Sequence, residues 1–341
     1  MDQFLPVKDL LSENIQGNAA MLFKKLSDLP VEKLGLPLYC LDYFKKSHFK
    51  RLFFSIETSA RLLYRAISLA NKPANEIVIM DYGAGVGTLY TLAKMIGCKK
   101  VIYNDFLSDW KESAKVIAEA INIKIDEYIL GDIEETLRVL SEKKINCDII
   151  TSRNVIEHIY DLRHFYSCIL KSQPNTIIYS STTANSKNPG TRVQHVRLHK
   201  RLEKIYFGER IKIIRGKTGL LNETYLVQLA TSTKGLAGTD LEKSINHYLN
   251  TKKIPEPLPV RSNTCDPVNG VWVEHLLYFS EYNDLIGSDK FNIEFAPGFW
   301  DTHYQQGWKN IVGGVLNRLI NANKTVGFFV APFIYVIASK K

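Results

Sequence analysis

Ile77-Val78-Ile79-Met80-Asp81-Tyr82-Gly83-Ala84-Gly85-Val86-Gly87-Thr88 is the stretch on which the fold turns. A short apolar run ends in an acid and gives way to alternate glycines, then to a helical pattern over Thr88 to Ile96. That is a strand, a tight loop and a helix N-terminus in succession. The same rhythm continues downstream. Strands are expected at Lys100 to Asn104, Glu127 to Leu130, Cys147 to Thr151 and Thr176 to Ser180. Helices of about ten residues separate them, at Trp110 to Asn122, Glu134 to Glu142 and Ile159 to Leu170. Strands alternating with such helices imply an α/β fold with a doubly wound, Rossmann-like sheet. Right-handed crossovers then bring every loop that follows a strand to one edge, where an open sheet of this kind binds its ligand.

Upstream, residues 1–75 read as a helical cap, with apolar residues at helical spacing in Ala19 to Phe23 and Phe53 to Leu69 and a break at Leu34 to Pro37. Tyr39 to Arg51 mixes aromatic and basic side chains (Tyr39, Tyr43, Phe44, His48, Phe49, Arg51), which suits either a pocket lining or helix packing. Residues 76–185 form the expected core. Alternation is lost over residues 186–290, read as an insertion that shapes an acceptor site, with a helical stretch at Leu241 to Asn250. Residues 291–341 return to strand, helix and strand: Phe291 to Phe295, Trp308 to Asn321 and Phe333 to Ala338. Val326 to Ala338 is the most apolar run and is interrupted by Pro332. It is shorter than the roughly 20 residues of a spanning helix and reads as a buried strand or two short elements, with no membrane insertion.

The loop is specific about its ligand. Alternate glycines let the backbone turn tightly and approach a bound molecule, and the helix behind them directs free N–H groups at it. A pyrophosphate-binding loop has its third glycine one position later than Gly87. Asp81, two residues before Gly83, would repel a pyrophosphate and suits a cationic amino-acid moiety.

In these features the chain resembles the class I S-adenosylmethionine-dependent methyltransferases. The segment Val155-Ile156-Glu157-His158-Ile159 is similar to that of their ubiquinone-biosynthesis-type subgroup. The resemblance implies S-adenosyl-L-methionine as cofactor, with Gly83, Ala84, Gly85 and Gly87 as its cradle. It further implies Asp105 on the ribose hydroxyls, Asp132 on the adenine amino group, Ile133 and Phe106 on the two faces of the ring, and Asn154 beside the cofactor. A Rossmann-like domain that has lost its ligand, catalytically silent or a scaffold, is the contrasting reading.

Methyl transfer is an in-line displacement, in which a protein supplies proximity and, for a hydroxyl acceptor, a base. His158 is the candidate base and Glu157 its neighbour, although His158 equally suits a structural role. Ser152-Arg153-Asn154-Val155 lacks both the N/D-P-P-Y/F segment and the Pro-Cys pair of nucleic-acid methyltransferases, which points to an oxygen on a small molecule. Arg192, His195 and His199, with Trp300 in Pro297 to Asp301, are the candidate contacts for an anionic or sugar-like acceptor. The turn-rich passage Asn263 to Trp272, followed by Glu274-His275, is a further polar and aromatic cluster.

Charge leaves an alternative open. The chain carries +9, and Lys187 to Lys217 alone holds ten Lys or Arg against Glu203 and Glu209. Such a block is either a solvated helix face or a phosphate track, and the track would make the protein an RNA methyltransferase. Cys40, Cys98, Cys147, Cys168 and Cys265 are scattered, with no CxxC pair and no His at zinc-ligand spacing, so no metal is expected. With no basic and apolar leader at Met1 to Leu10, a cytoplasmic location is expected. Oligomeric state is open.

Overall fold

Apolar strand runs that are buried on both faces make the centre of the protein. The computed structural model describes residues 3–219 and 221–341. Met1 and Asp2, at the start of the expected cap, and Leu220, within the expected insertion, lie outside the described residues. The parallel strands are β1 (Val78–Asp81), β2 (Lys100–Asp105), β3 (Glu127–Leu130), β4 (Ile149–Arg153) and β5 (Ile177–Thr182). Two later strands, β6 (Phe291–Pro297) and β7 (Ile334–Lys340), complete a seven-stranded sheet of order β3-β2-β1-β4-β5-β7-β6. Only β7 runs against its neighbours, pairing antiparallel with both β5 and β6. The doubly wound Rossmann-like sheet expected from the sequence is the fold. Its order reverses between β1 and β4, so the loops after these strands part and leave a crevice.

Helices cover both faces. One face buries α1 (Leu10–Ser27), α3 (Leu52–Ala70), α4 (Leu89–Met95) and α5 (Ser108–Ala120) around Ile15, Leu22, Ile56, Leu63, Leu92 and Val101. The N-terminal helices therefore do more than cap the sheet, because α3 packs directly on β4, β5 and α4 as a member of the layer. A short α2 (Leu38–Tyr43) runs into a π-helical turn at Phe44–His48, which carries the chain to α3. The other face buries α6 (Ile133–Glu142), α7 (Leu162–Ser172) and α11 (Phe279–Ile286) around Leu137, Phe165, Tyr166 and Tyr282. Local signals set these helices. Asp9, Asp132 and Asp161 each accept a backbone N–H at a helix N-terminus, and the carboxylates also complement the helix dipole.

The insertion begins with α8 (Pro189–Thr218), where Asn188 accepts the Thr191 N–H and Pro189 occupies the first turn. It folds against α9 (Glu223–Ser232) and α10 (Gly238–Thr251) around a small core that includes Ile214, Leu229 and Ile245. Arg210 is fully buried there, donating to the Ala230 carbonyl at 3.0 Å and to Glu203. The basic block divides along α8. Arg210, Lys212, Arg215 and Lys217 pair with Glu203, Glu209, Glu223 and Glu242. Arg197, Lys200, Arg201 and Lys204 are exposed, with no carboxylate partner among the described residues. At the C-terminal end, α12 (Gly307–Ala322) and α13 (Lys324–Val330) precede β7, so Val326 to Ala338 divides into a helix and a strand at Pro332. No helix among the described residues is long and apolar enough to cross a membrane.

Candidate active site

A cleft of about 1270 Å³ opens at the carboxyl ends of the parallel strands, on the crevice between β1 and β4. Its floor is the loop Gly83 to Gly87. Gly83 and Gly85 both take left-handed backbone conformations, with φ of 65° and 53°. A Cβ on Gly83 would lie 2.6 Å from Val155 Cγ2, and one on Gly87 would lie 2.8 Å from the Ala84 carbonyl. The loop therefore needs glycine for close packing at these two positions. Gly85 differs, because a Cβ there would meet nothing within 4 Å. Its glycine keeps the chain left-handed and leaves space above the backbone.

Three carboxylates converge on this floor from successive strand ends. Asp81 ends β1 and is buried, accepting from Thr151 Oγ1 at 3.3 Å and the Tyr90 N–H at 3.3 Å. Burial pushes its carboxyl up to about 7, against the opposing pull of the nearby Arg153 guanidinium. Asp105 ends β2, with one oxygen accepting the Gly85 N–H at 2.9 Å and the other the Leu107 N–H at 3.0 Å. Burial raises its pKa as well, and those backbone N–H groups oppose the shift. Asp132 follows β3 and lines the cleft from the N-terminus of α6. Phe106 beside Asp105 is 70% exposed and offers its ring to the cleft. Ile133 does not line the cleft, because the first turn of α6 turns it into the core under β3 and β4.

The segment after β4 supplies a second wall. Asn154 has φ of 56°, a left-handed conformation that asparagine tolerates better than most residues, and its N–H is held by the Ser181 carbonyl at 2.9 Å. His158 lines the cleft. Its Nδ1 lies 2.8 Å from the Trp272 carbonyl, which can only accept, so the ring carries its proton on Nδ1 and leaves Nε2 as the acceptor. Glu157 points away from the cleft and is buried, accepting from the Thr183 N–H at 3.2 Å. Burial pushes its carboxyl up to about 7, with His158 opposing the shift and Glu274 adding to it. The backbones of Glu157 and His158 also accept the N–H groups of His275 and Trp272. The polar and aromatic passage of the insertion is thus a brace clamped to the segment after β4. Its Asn269, Gly270 and Val271 reach the cleft.

The other half of the cleft comes mainly from the N-terminal helices and the segment after β6. Of the aromatic and basic mix, Tyr39, Tyr43, His48 and Arg51 line it, whereas Phe44 is buried in the core and Phe49 packs against it, so both readings of that stretch hold in part. The π-helical turn ends at His48, which is buried with an unpartnered Nε2. Burial, with Arg153 close by, pushes its imidazole down to about 3. Beside these side chains, Trp300, Asp301, Tyr304 and Phe333 also line the cleft, with Asp301 lying 3.6 Å from the Arg51 guanidinium. Trp300 is fixed through its indole N–H to the Val330 carbonyl at 2.9 Å.

Arg153 is the residue that sequence reasoning passed over. It ends β4 and donates to the Ser55 carbonyl at 2.8 Å and Thr58 Oγ1 at 2.9 Å on α3. A cation ending a central strand, within a run of otherwise uncharged residues, was the available signal.

Arg192, His195 and His199 are not brought to the cleft. His195 Nε2 donates to the Thr183 carbonyl at 3.2 Å, and His199 Nε2 donates to the Glu274 carbonyl at 3.2 Å. The four-residue spacing does put both on one face of α8, but that face is turned inward to hold the brace. The sequence reading that no His lies at ligand spacing from a Cys missed one pair. His164 and Cys168 stand one turn apart on α7, and with Glu134 they bring three potential ligand atoms within 4.8 Å of one another, on the surface and outside the cleft lining.

No known family matches the sequence, and no curated protein matches it. Solved structures do. A protein from Streptococcus mutans, provisionally described as a SAM-dependent methyltransferase, aligns over 36% of this chain at 16% identity and a TM-score of 0.30. That alignment spans 34% of the other protein's length, about a third. The ribosomal protein L11 methylase from Lactobacillus delbrueckii subsp. bulgaricus aligns over 37% of this chain and 60% of its own, at 19% identity and a TM-score of 0.28. The plantazolicin methyltransferase BpumL in complex with SAH aligns over 98% of this chain and 100% of its own, at 12% identity and a TM-score of 0.40.

Proposed function

We propose that this chain is an S-adenosylmethionine-dependent methyltransferase acting on an oxygen of a small anionic or sugar-like molecule. The observation that carries the reading is the convergence of Asp81, Asp105 and Asp132, from three successive strand ends, on one glycine floor. The residues present fit the cofactor. Asp81 is a buried carboxyl short of positive charge, which a cationic amino-acid moiety supplies. The space above Gly85 admits a close ligand, Asp105 suits a pair of ribose hydroxyls, and Asp132 with Phe106 suits an adenine.

When bound, the cofactor contributes a methyl group on a sulfonium, whose leaving group needs no further activation. The chain's own part is orientation and proton removal. His158 would take the acceptor's proton on Nε2, with Nδ1 fixed by the Trp272 carbonyl. Arg51 and the aromatic side chains Tyr39, Tyr43, Trp300 and Tyr304 would seat the acceptor, and Arg153 adds positive charge for an anionic one. Asn154 would keep the wall after β4 against the cofactor.

The test has two arms. Calorimetric titration with S-adenosylhomocysteine should show binding, reduced on the order of a hundredfold in Asp105→Ala, with an unchanged circular dichroism spectrum. Transfer of labelled methyl into a cell extract, fractionated into small molecules, RNA, protein and lipid, should then put label in the small-molecule fraction. Label in RNA would replace the acceptor assignment, and absence of cofactor binding would sink the whole reading.

A further inference from the structure

Helix α12 carries its widest apolar stripe on the side turned away from the core. Its inner side buries Ile320 and is otherwise small or polar where it meets the cleft wall. Asn310 exchanges hydrogen bonds with the backbone of Tyr304, at 2.7 and 2.9 Å, and Asn317 does the same with Trp300, at 2.7 and 2.9 Å. Between them Gly313 lies so close to its neighbour that a Cβ would stand 2.6 Å from the Asp301 carbonyl. The outer side carries Trp308, Ile311, Val312, Val315 and Leu319, from 46% to 71% exposed. At 3.6 residues per turn these five fall in one stripe about 100° wide. No charged residue lies within it, while Lys309 and Arg318 border it on either side.

We propose that a second copy of this chain covers the stripe, α12 against its own duplicate, and that this contact steadies one wall of the cleft. Area is the first argument. With Val326 and Phe329 of α13, which packs against α12, the exposed apolar surface is on the order of 700 Å², near the roughly 800 Å² per partner of a specific interface. The chemistry agrees, because a two-fold contact sets apolar residues against the same apolar residues, and charge is depleted from the centre of such interfaces. Residues 302–341 carry five cations and no acid, so the rim of the dimer would be like-charged. Salt should therefore strengthen it. The consequence for the site follows from the inner side. Asn310 and Asn317 hold the loop whose Trp300 and Tyr304 line the cleft, so anything that fixes the outer side of α12 also fixes that wall. The proposal stands apart from the methyl-transfer reading, because it concerns a face outside the cleft.

Sedimentation equilibrium of the full chain across the micromolar range tests it. Twice the chain mass is expected, with tighter association at higher salt. Ile311→Asp with Val315→Asp should weaken the association at least tenfold, and Ile311→Val should leave it unchanged. Since the double variant could fail to fold, Val315→Cys provides a second readout, a disulfide to its own duplicate on mild oxidation. A monomer at every concentration, or a dimer indifferent to the stripe variants, overturns the proposal. So does a monomer that co-sediments with phosphatidylglycerol vesicles through the stripe and is released by salt, since lipid would then be the cover.

Discussion

At the scale of single residues the glycine floor makes a sharp prediction. Gly83→Ala combines a left-handed conformation with a 2.6 Å approach to Val155, and should cost about 1–3 kcal/mol in thermal or denaturant unfolding. Val155→Ala in the same background should recover part of that loss. Gly85→Ala meets no neighbour, so it should cost only the backbone term, about 1–2 kcal/mol, while weakening cofactor binding more than it weakens the fold. His158 gives the third residue-scale outcome. As the base, His158 should be needed for turnover alone, so His158→Gln should lower kcat by about a hundredfold or more with cofactor affinity unchanged. Loss of affinity or stability instead would mean that its bond to the Trp272 carbonyl is structural.

Elements decide which of these residues meet. Helix α8 was legible as a basic block but not as a 30-residue helix, and its four-residue His spacing marked one face only on the condition that the segment is helical. Which way that face turned was not, because it depends on packing against Thr183 and Glu274, which are far away in sequence or on other elements. Its folding is anchored by the buried Arg210, so Arg210→Ala should destabilise the insertion by about 3–5 kcal/mol by leaving Glu203 with no cation and only its Thr264 hydrogen bond, and by removing a donor from the Ala230 carbonyl. Limited proteolysis should then cut first within residues 189–251. Helix α3 teaches the same lesson. Its apolar residues at helical spacing were legible as a helix of the cap, but contact with β4 and β5, and through Arg153 with the cleft, came only from the folded chain.

Over the whole molecule, pH ties stability to ligand binding. Asp81 and Glu57 are both buried and raised to about 7, from ordinary values of 3.8 and 4.5. Groups raised in this direction contribute stability below their unfolded pKa, and that contribution is lost as pH rises through the folded value. The stability of the ligand-free protein relative to an Asp81→Asn, Glu57→Gln variant should therefore fall between about pH 4 and pH 7, a comparison in which the opposite contribution of His48 and His275, lowered to about 3 and about 4, cancels. A cationic ligand favours ionised Asp81, so calorimetry near pH 6 in two buffers of different ionisation enthalpy should show proton release on binding. The same ligand at about a hundred times its Kd should add about 2.7 kcal/mol to stability. By itself the sequence determined the strand–helix alternation, the glycine loop and the acids at the strand ends. These are local patterns, and a parallel sheet brings consecutive strand ends to one edge regardless of what surrounds it. Only the tertiary structure decided the opposite wall of the cleft, the inward turn of His195 and His199 and the outward turn of the apolar side of α12. Each depends on which distant surface an element packs against, and periodicity marks a face without saying what it will meet.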